Sequence, residues 1–108
     1  MIRVLSVFGT RPEAIKMVPV IRALKARTEV QTVTVSTGQH KQMLAQMLER
    51  FEVRVDHEMD LMEPNQTLYR LSSKAIAAFE AVIGKARPDM LLVQGDTTTA
   101  FLGALCAF

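Results

Sequence analysis

An apolar run, Val4 to Phe8, is followed at once by Gly9-Thr10-Arg11-Pro12-Glu13 and then by a helical pattern, and this junction constrains the chain more than any other stretch. The run reads as a buried first strand. Ala14, Met17, Val18, Ile21 and Leu24 then fall on one face of a helix. Gly9 lets the backbone bend sharply between them. Thr10-x-x-Glu13 has capping-box spacing, so Thr10 can cap the helix while Glu13 reaches back to it. The amides of that first turn would face out of the strand's carboxyl end, where open α/β sheets bind ligands. Arg11 stands at the helix mouth and Lys16 lies further along it, so a phosphate placed there would meet the helix dipole and two cations. The plainer reading is an ordinary strand-turn-helix unit with solvated basic residues. The spacing is neither a Walker A loop nor G-x-G-x-x-G, so no nucleotide class follows from it.

The same alternation continues along the chain. Glu29 to Ser36 alternates valine with polar and β-branched residues and predicts a second strand. After a turn at Thr37-Gly38-Gln39-His40, residues His40 to Phe51 carry Met43, Leu44, Met47, Leu48 and Phe51 at helical spacing, a stripe read as core. Pro19 lies inside the first helix and should kink it or disturb its hydrogen bonds. Val53 and Val55 suggest a short third strand, leaving Asp56-His57-Glu58-Met59-Asp60 as a polar loop. Asp, His and Glu so close together, with His40 as a distant partner, raise a metal site. Their spacing matches no defined loop, and no metal site is expected.

Pro64 stiffens a loop over Leu61 to Asn65, and a long helix is expected from about Thr67 to Lys85, ended by Gly84 and Pro88. Asp89 to Gln94 predicts a fourth strand whose continuous apolar centre suits a parallel sheet covered on both faces. Thr97 to Phe108 reads as an apolar helix without a stop signal, so the chain is expected to end inside an element, as a fragment of a longer protein or a truncated product. Strands alternating with helices indicate a doubly wound parallel α/β unit with spatial order 3-2-1-4. In that order the first and fourth strands are neighbours, and Gly9-Thr10-Arg11 meets Gly95-Asp96-Thr97 at one sheet edge. Asp96 reads either as the N-cap of the last helix or as a carboxylate held beside an anion site.

Composition narrows the partners. The chain has 108 residues and a net charge of +2, without long runs of like charge, so it carries no electrostatic footprint for nucleic acid or a membrane surface. One tyrosine and no tryptophan make a base-stacking platform a poor fit. The single cysteine, Cys106, excludes an internal disulfide and reads as a small core residue. No apolar stretch approaches the ~20 residues of a membrane span. The amino terminus does not read as a cleavable signal, so the cytoplasm is the expected location.

Four stretches taken together resemble one family. Phe8-Gly9-Thr10-Arg11-Pro12-Glu13-Ala14-Ile15-Lys16-Met17, Thr37-Gly38-Gln39-His40, Met62 to Leu68 and Gln94-Gly95-Asp96-Thr97-Thr98-Thr99 fall in the order found in the non-hydrolysing UDP-N-acetylglucosamine 2-epimerases. The resemblance covers essentially the whole chain. It implies the amino-terminal Rossmann-like half of a GT-B-type two-domain fold, with a second domain of the same type absent. It implies reversible C2 epimerisation of UDP-N-acetylglucosamine to UDP-N-acetylmannosamine through elimination and re-addition of UDP, without a cofactor. Arg11 and Lys16 would serve the nucleotide or its departing pyrophosphate, and Asp96 acid/base or sugar-positioning work. Gln39, Gln42 and Gln66 match positions that bind a second, activating UDP-N-acetylglucosamine in some bacterial members. Asn65 stands where such members have arginine, and Gln94 where histidine is common. The resemblance further implies a homodimer, with other catalytic groups beyond Phe108 and no turnover by this piece alone. Competing expectations are a GT-B-type glycosyltransferase and a nucleotide-sugar-binding module without catalysis.

Overall fold

Along the first strand, β1 (Ile2–Phe8), Leu5 and Val7 face one way while Val4, Ser6 and Phe8 face the other, and all five are buried. Such a strand needs cover on both faces, and the computed structural model, which describes residues 1–38 and 41–108, supplies it. β1 pairs in parallel along its whole length with β2 (Val30–Ser36), from Ile2 opposite Val30 to Phe8 opposite Ser36. On its other side it pairs in parallel with β4 (Met90–Leu92), from Val4 opposite Met90 to Ser6 opposite Leu92. β3 (His57–Glu58) adds to the far side of β2, giving the order β3-β2-β1-β4.

Two helix pairs cover the sheet. On one face α1 (Arg11–Lys25) and α2 (Lys41–Arg50) bury Ala14, Met17, Val18, Ile21, Leu44 and Leu48 with Phe8 and Val53. On the other, α3 (Leu68–Ala86) and α4 (Thr98–Ala107) bring Ala75, Phe79 and Leu102 against Leu5, Val7, Val35, Met59 and Leu61. This is the expected doubly wound parallel α/β arrangement, Rossmann-like in its strand order. No described helix is long and apolar enough to cross a membrane.

Several boundaries differ from expectation, each for a physical reason. Val53 and Val55 do not form the third strand. Val53 packs into the α1–α2 core, and the ladder forms at His57 and Glu58, just beyond Val55. There the Asp56 N–H bonds Thr34 O at 2.9 Å and the Met59 N–H bonds Ser36 O at 2.7 Å. The segment expected to be a polar loop is therefore the edge strand itself. α3 runs through Gly84 and stops at Arg87, which takes a left-handed conformation (φ 48°) and donates its N–H to Ile83 O at 2.8 Å. α1 runs through Pro19, which has no N–H to donate within the helix. β4 is shorter than expected and is an edge strand: Met90 is 55% exposed and Leu91 and Leu92 are half-buried. Neighbouring Phe101 and Leu105 of α4 are also exposed.

Candidate functional site at the carboxyl edge of the sheet

The turn after β1 is organised by Glu13. Thr10 occupies the N-cap position of α1, and Glu13, three residues on, folds back toward it. Its Oε2 accepts the Gly9 N–H at 2.7 Å and the Thr10 N–H at 3.1 Å. Its Oε1 accepts the hydroxyl of Thr97, which lies in the turn after β4. Glu13 is only 3% exposed, so this carboxyl group is a buried junction between two turns. The sequence pattern identifies its capping half; nothing local could identify the bond to Thr97.

Arg11 is the first residue of α1 and is exposed, as is Lys16 on the same helix. Two amides of the turn are already taken by Glu13, and Pro12 has no N–H. An anion at this mouth would therefore depend mainly on the Arg11 guanidinium, which can present two parallel N–H donors. Arg11 also lines an open cleft of about 580 Å³ between α1 and α2, together with Ile15, Gln46, Met47, Arg50 and Phe51. Arg50 thus joins Arg11 as a second guanidinium on that cleft. Nothing in its spacing distinguishes it from an ordinary basic residue in a last helical turn.

Asp96 is exposed in the turn between β4 and α4, directly after Gly95, whose φ of 93° suits glycine. Asp96 is not the helix cap. That role falls to Thr97, whose hydroxyl accepts the Ala100 N–H at 3.4 Å while donating to Glu13. The carboxylate of Asp96 is left clear of capping work, on the edge that carries Arg11. A further hydroxyl pair, Thr37 and Thr99 at 3.3 Å, joins the turn after β2 to α4. The Thr37 N–H bonds Phe8 O at 3.0 Å, so the turns after β1, β2 and β4 are all tied together.

The glutamines expected at a second ligand position are spread more widely. Gln39 lies outside the described residues, as does His40. Gln42 is exposed near the start of α2. Gln66 stabilises its own loop: its Nε2 donates to Leu61 O at 2.6 Å and its Oε1 accepts the Glu63 N–H at 3.4 Å. Asn65 beside it takes a left-handed φ of 54°, which asparagine tolerates. The same loop is braced by Glu63, which accepts from Arg70 Nε at 2.7 Å and Lys74 Nζ at 2.8 Å. Hydrogen bonding from Arg70, then from Lys74, holds the Glu63 carboxyl down at about 2. Among the described residues no cluster of His, Cys, Asp or Glu could hold a metal ion. Asp56 instead accepts the Thr34 N–H at 2.8 Å.

Comparison with known proteins identifies the family and matches the fold. The sequence profile of the UDP-N-acetylglucosamine 2-epimerase family matches residues 22–108. A UDP-N-acetylglucosamine 2-epimerase of Bacillus subtilis is 43% identical over 107 residues, which is 99% of this chain and 28% of that protein. The crystal structure of UDP-GlcNAc 2-epimerase from Neisseria meningitidis bound to UDP-GlcNAc has a TM-score of 0.94 and 44% identity, covering 99% of this chain and 29% of that one. The Methanocaldococcus jannaschii enzyme in complex with UDP-GlcNAc and UDP has a TM-score of 0.88 and 30% identity over 98% of this chain and 29% of its own. The chain thus spans under a third of the relatives it matches. With four motifs in order, the expected sheet and these relatives in agreement, the chain belongs to the UDP-N-acetylglucosamine 2-epimerase family.

Proposed function

We propose that the full-length protein carrying this chain interconverts UDP-N-acetylglucosamine and UDP-N-acetylmannosamine, with this chain as its amino-terminal Rossmann-like domain. The observation that carries the reading is the placement of Arg11 and Asp96 on the turns that follow two neighbouring strands, with Asp96 relieved of capping by Thr97. The reaction breaks the C2–H and C1–O bonds of the sugar. The C2 electron pair forms the C1=C2 bond of an enzyme-bound 2-acetamidoglucal, and UDP leaves with the C1–O pair. Return of UDP to C1 with a proton delivered to the opposite face of C2 gives the epimer. Arg11, supported by Lys16, meets the negative charge growing on the departing pyrophosphate. Asp96 serves proton transfer or holds the sugar in place for it. The remaining acid/base groups are assigned to the part of the protein beyond Phe108, so the 108-residue chain alone is expected to be inactive.

The family resemblance also supports a cytoplasmic homodimer and a second UDP-N-acetylglucosamine at Gln39, Gln42 and Gln66. For the last of these, Gln66 Nε2 has a second N–H besides the one given to Leu61 O.

The test is to incubate the full-length protein with UDP-N-acetylglucosamine in deuterated water and follow the sugar by NMR. Deuterium is expected at C2 as the manno epimer forms, with no acceptor present. Asp96→Asn is expected to lower that rate by about 10²-fold or more, the usual range for a proton-transfer group. Arg11→Ala should weaken UDP binding. A folded protein giving neither product nor exchange refutes the reading.

A further inference from the structure

The least expected group in the molecule is the carboxyl of Glu13, buried to 3% exposure and used by neither step of the proposed reaction. Burying a carboxyl group is costly unless hydrogen bonds replace its hydration. Capping α1 accounts for only part of this one. A Glu three residues past an N-cap normally returns to the cap amide at the surface. Here it also takes the Gly9 amide and, with its second oxygen, the hydroxyl of Thr97, a residue 84 positions away.

The place of that bond in the sheet gives it meaning. The ladder between β1 and β4 stops at Ser6 opposite Leu92, before Val93, Gln94, Gly95 and Asp96. Past that point the route to Asp96 is not held to β1 by strand pairing. Gly95 turns with φ 93° over the Glu13 stem, and a Cβ added to it would lie 3.6 Å from Glu13 Cγ. The chain is then caught at Thr97, the next residue after Asp96.

We propose that Glu13 is a positioning residue: a buried tie that sets where Asp96 stands relative to Arg11, by joining the amides of one turn to the hydroxyl of the other. The inference rests on the epimerase reading for its catalytic consequence, while the tie itself is independent of substrate. Misplacing reacting groups by about 1 Å can cost about 10²-fold in rate, so loss of the tie should appear in kcat.

The experiment uses the full-length protein and the variants Thr97→Val, Thr97→Ser and Glu13→Asp, each measured for epimerisation and for amide hydrogen exchange of the peptides covering residues 8–13 and 94–99. Thr97→Val keeps the side-chain shape but loses the hydroxyl. It is expected to raise exchange at Gly9 and Thr10, in the other turn, and to lower kcat by roughly 10- to 100-fold with KM within about threefold. Thr97→Ser retains the hydroxyl and should restore the exchange protection and most of the turnover. Glu13→Asp, one methylene short, should behave like Thr97→Val. A lost α4 cap alone would loosen residues 97–101 and leave Gly9 and Thr10 protected. Unchanged exchange at Gly9 and Thr10 in Thr97→Val overturns the proposal, and so does raised exchange with unchanged kcat. A wild-type protein without epimerase activity refutes the reaction assigned above, and the exchange comparison then decides the tie by itself.

Discussion

Replacing Gly38 by alanine sets two separate costs on one methyl group. Gly38 follows β2 with φ 89°, a region disfavoured for any residue with a Cβ by about 1–2 kcal/mol. The added Cβ would also lie 2.4 Å from the backbone carbonyl oxygen of Met59, with no flexible side chain able to yield. Moving that carbonyl strains the adjacent 2.7 Å bond from the Met59 N–H to Ser36 O, which holds the edge strand β3. Loss of such a bond costs about 0.5–1.5 kcal/mol, so Gly38→Ala should destabilise by about 2–3 kcal/mol in all. Gly84 provides the internal control. It lies inside α3 with nothing within 4 Å of a built Cβ, so Gly84→Ala should stabilise by about 0.5–1 kcal/mol through helix propensity. Urea unfolding of the full-length protein, followed through amide exchange of the β2 peptide, measures both. With a slope of about 2 kcal/mol/M the two variants should differ in midpoint by roughly 1–2 M. A Gly38→Ala midpoint equal to wild type would refute the assigned backbone geometry after β2.

Phe79→Ala removes the largest ring of the α3–α4 core, which is 0% exposed against Leu5, Val7 and Leu102, and should cost about 3–5 kcal/mol by the same unfolding measurement. Glu63 should make stability depend on pH in the acid range. Its carboxyl is held at about 2 in the fold against an ordinary 4.5, so its contribution is complete above the ordinary value and is lost as pH falls toward about 2. Thermal unfolding should therefore show a shallower loss between those limits in Glu63→Gln than in wild type, and high salt should narrow the gap, because the pair with Arg70 is exposed. Identical acid profiles for the two proteins would exclude that assignment.

Much of the fold was legible because its signals are local. The apolar run of β1, the Gly9-Thr10-x-x-Glu13 junction and the helical stripes of α1 and α3 depend only on neighbours in sequence, and the strand order follows from their alternation. The failures share a different cause. β3 is a strand through two backbone bonds to Thr34 and Ser36, supplied by a segment about twenty residues away, so Val53 and Val55 were the more strand-like residues and still lost the ladder. At the last helix both Asp96 and Thr97 are good caps. The choice of Thr97 depends on the Gly95 turn and on Glu13, neither of which lies in the local pattern. Arg11 and Asp96 could be brought to one edge by topology. The tie beneath them required coordinates.

The pairing of β1 with β4 also has a consequence in time. Val4 meets Met90 and Ser6 meets Leu92, so β1 is the centre of the sheet only when residues made 86 positions later have joined it. At about 5–20 residues per second, the ribosome takes roughly 4 to 17 s to produce them. Through that interval one flank of this apolar strand lacks its β4 partner. Newly made chains are therefore expected to keep β1 on chaperones through that interval, and to release it as β4 and α4 arrive.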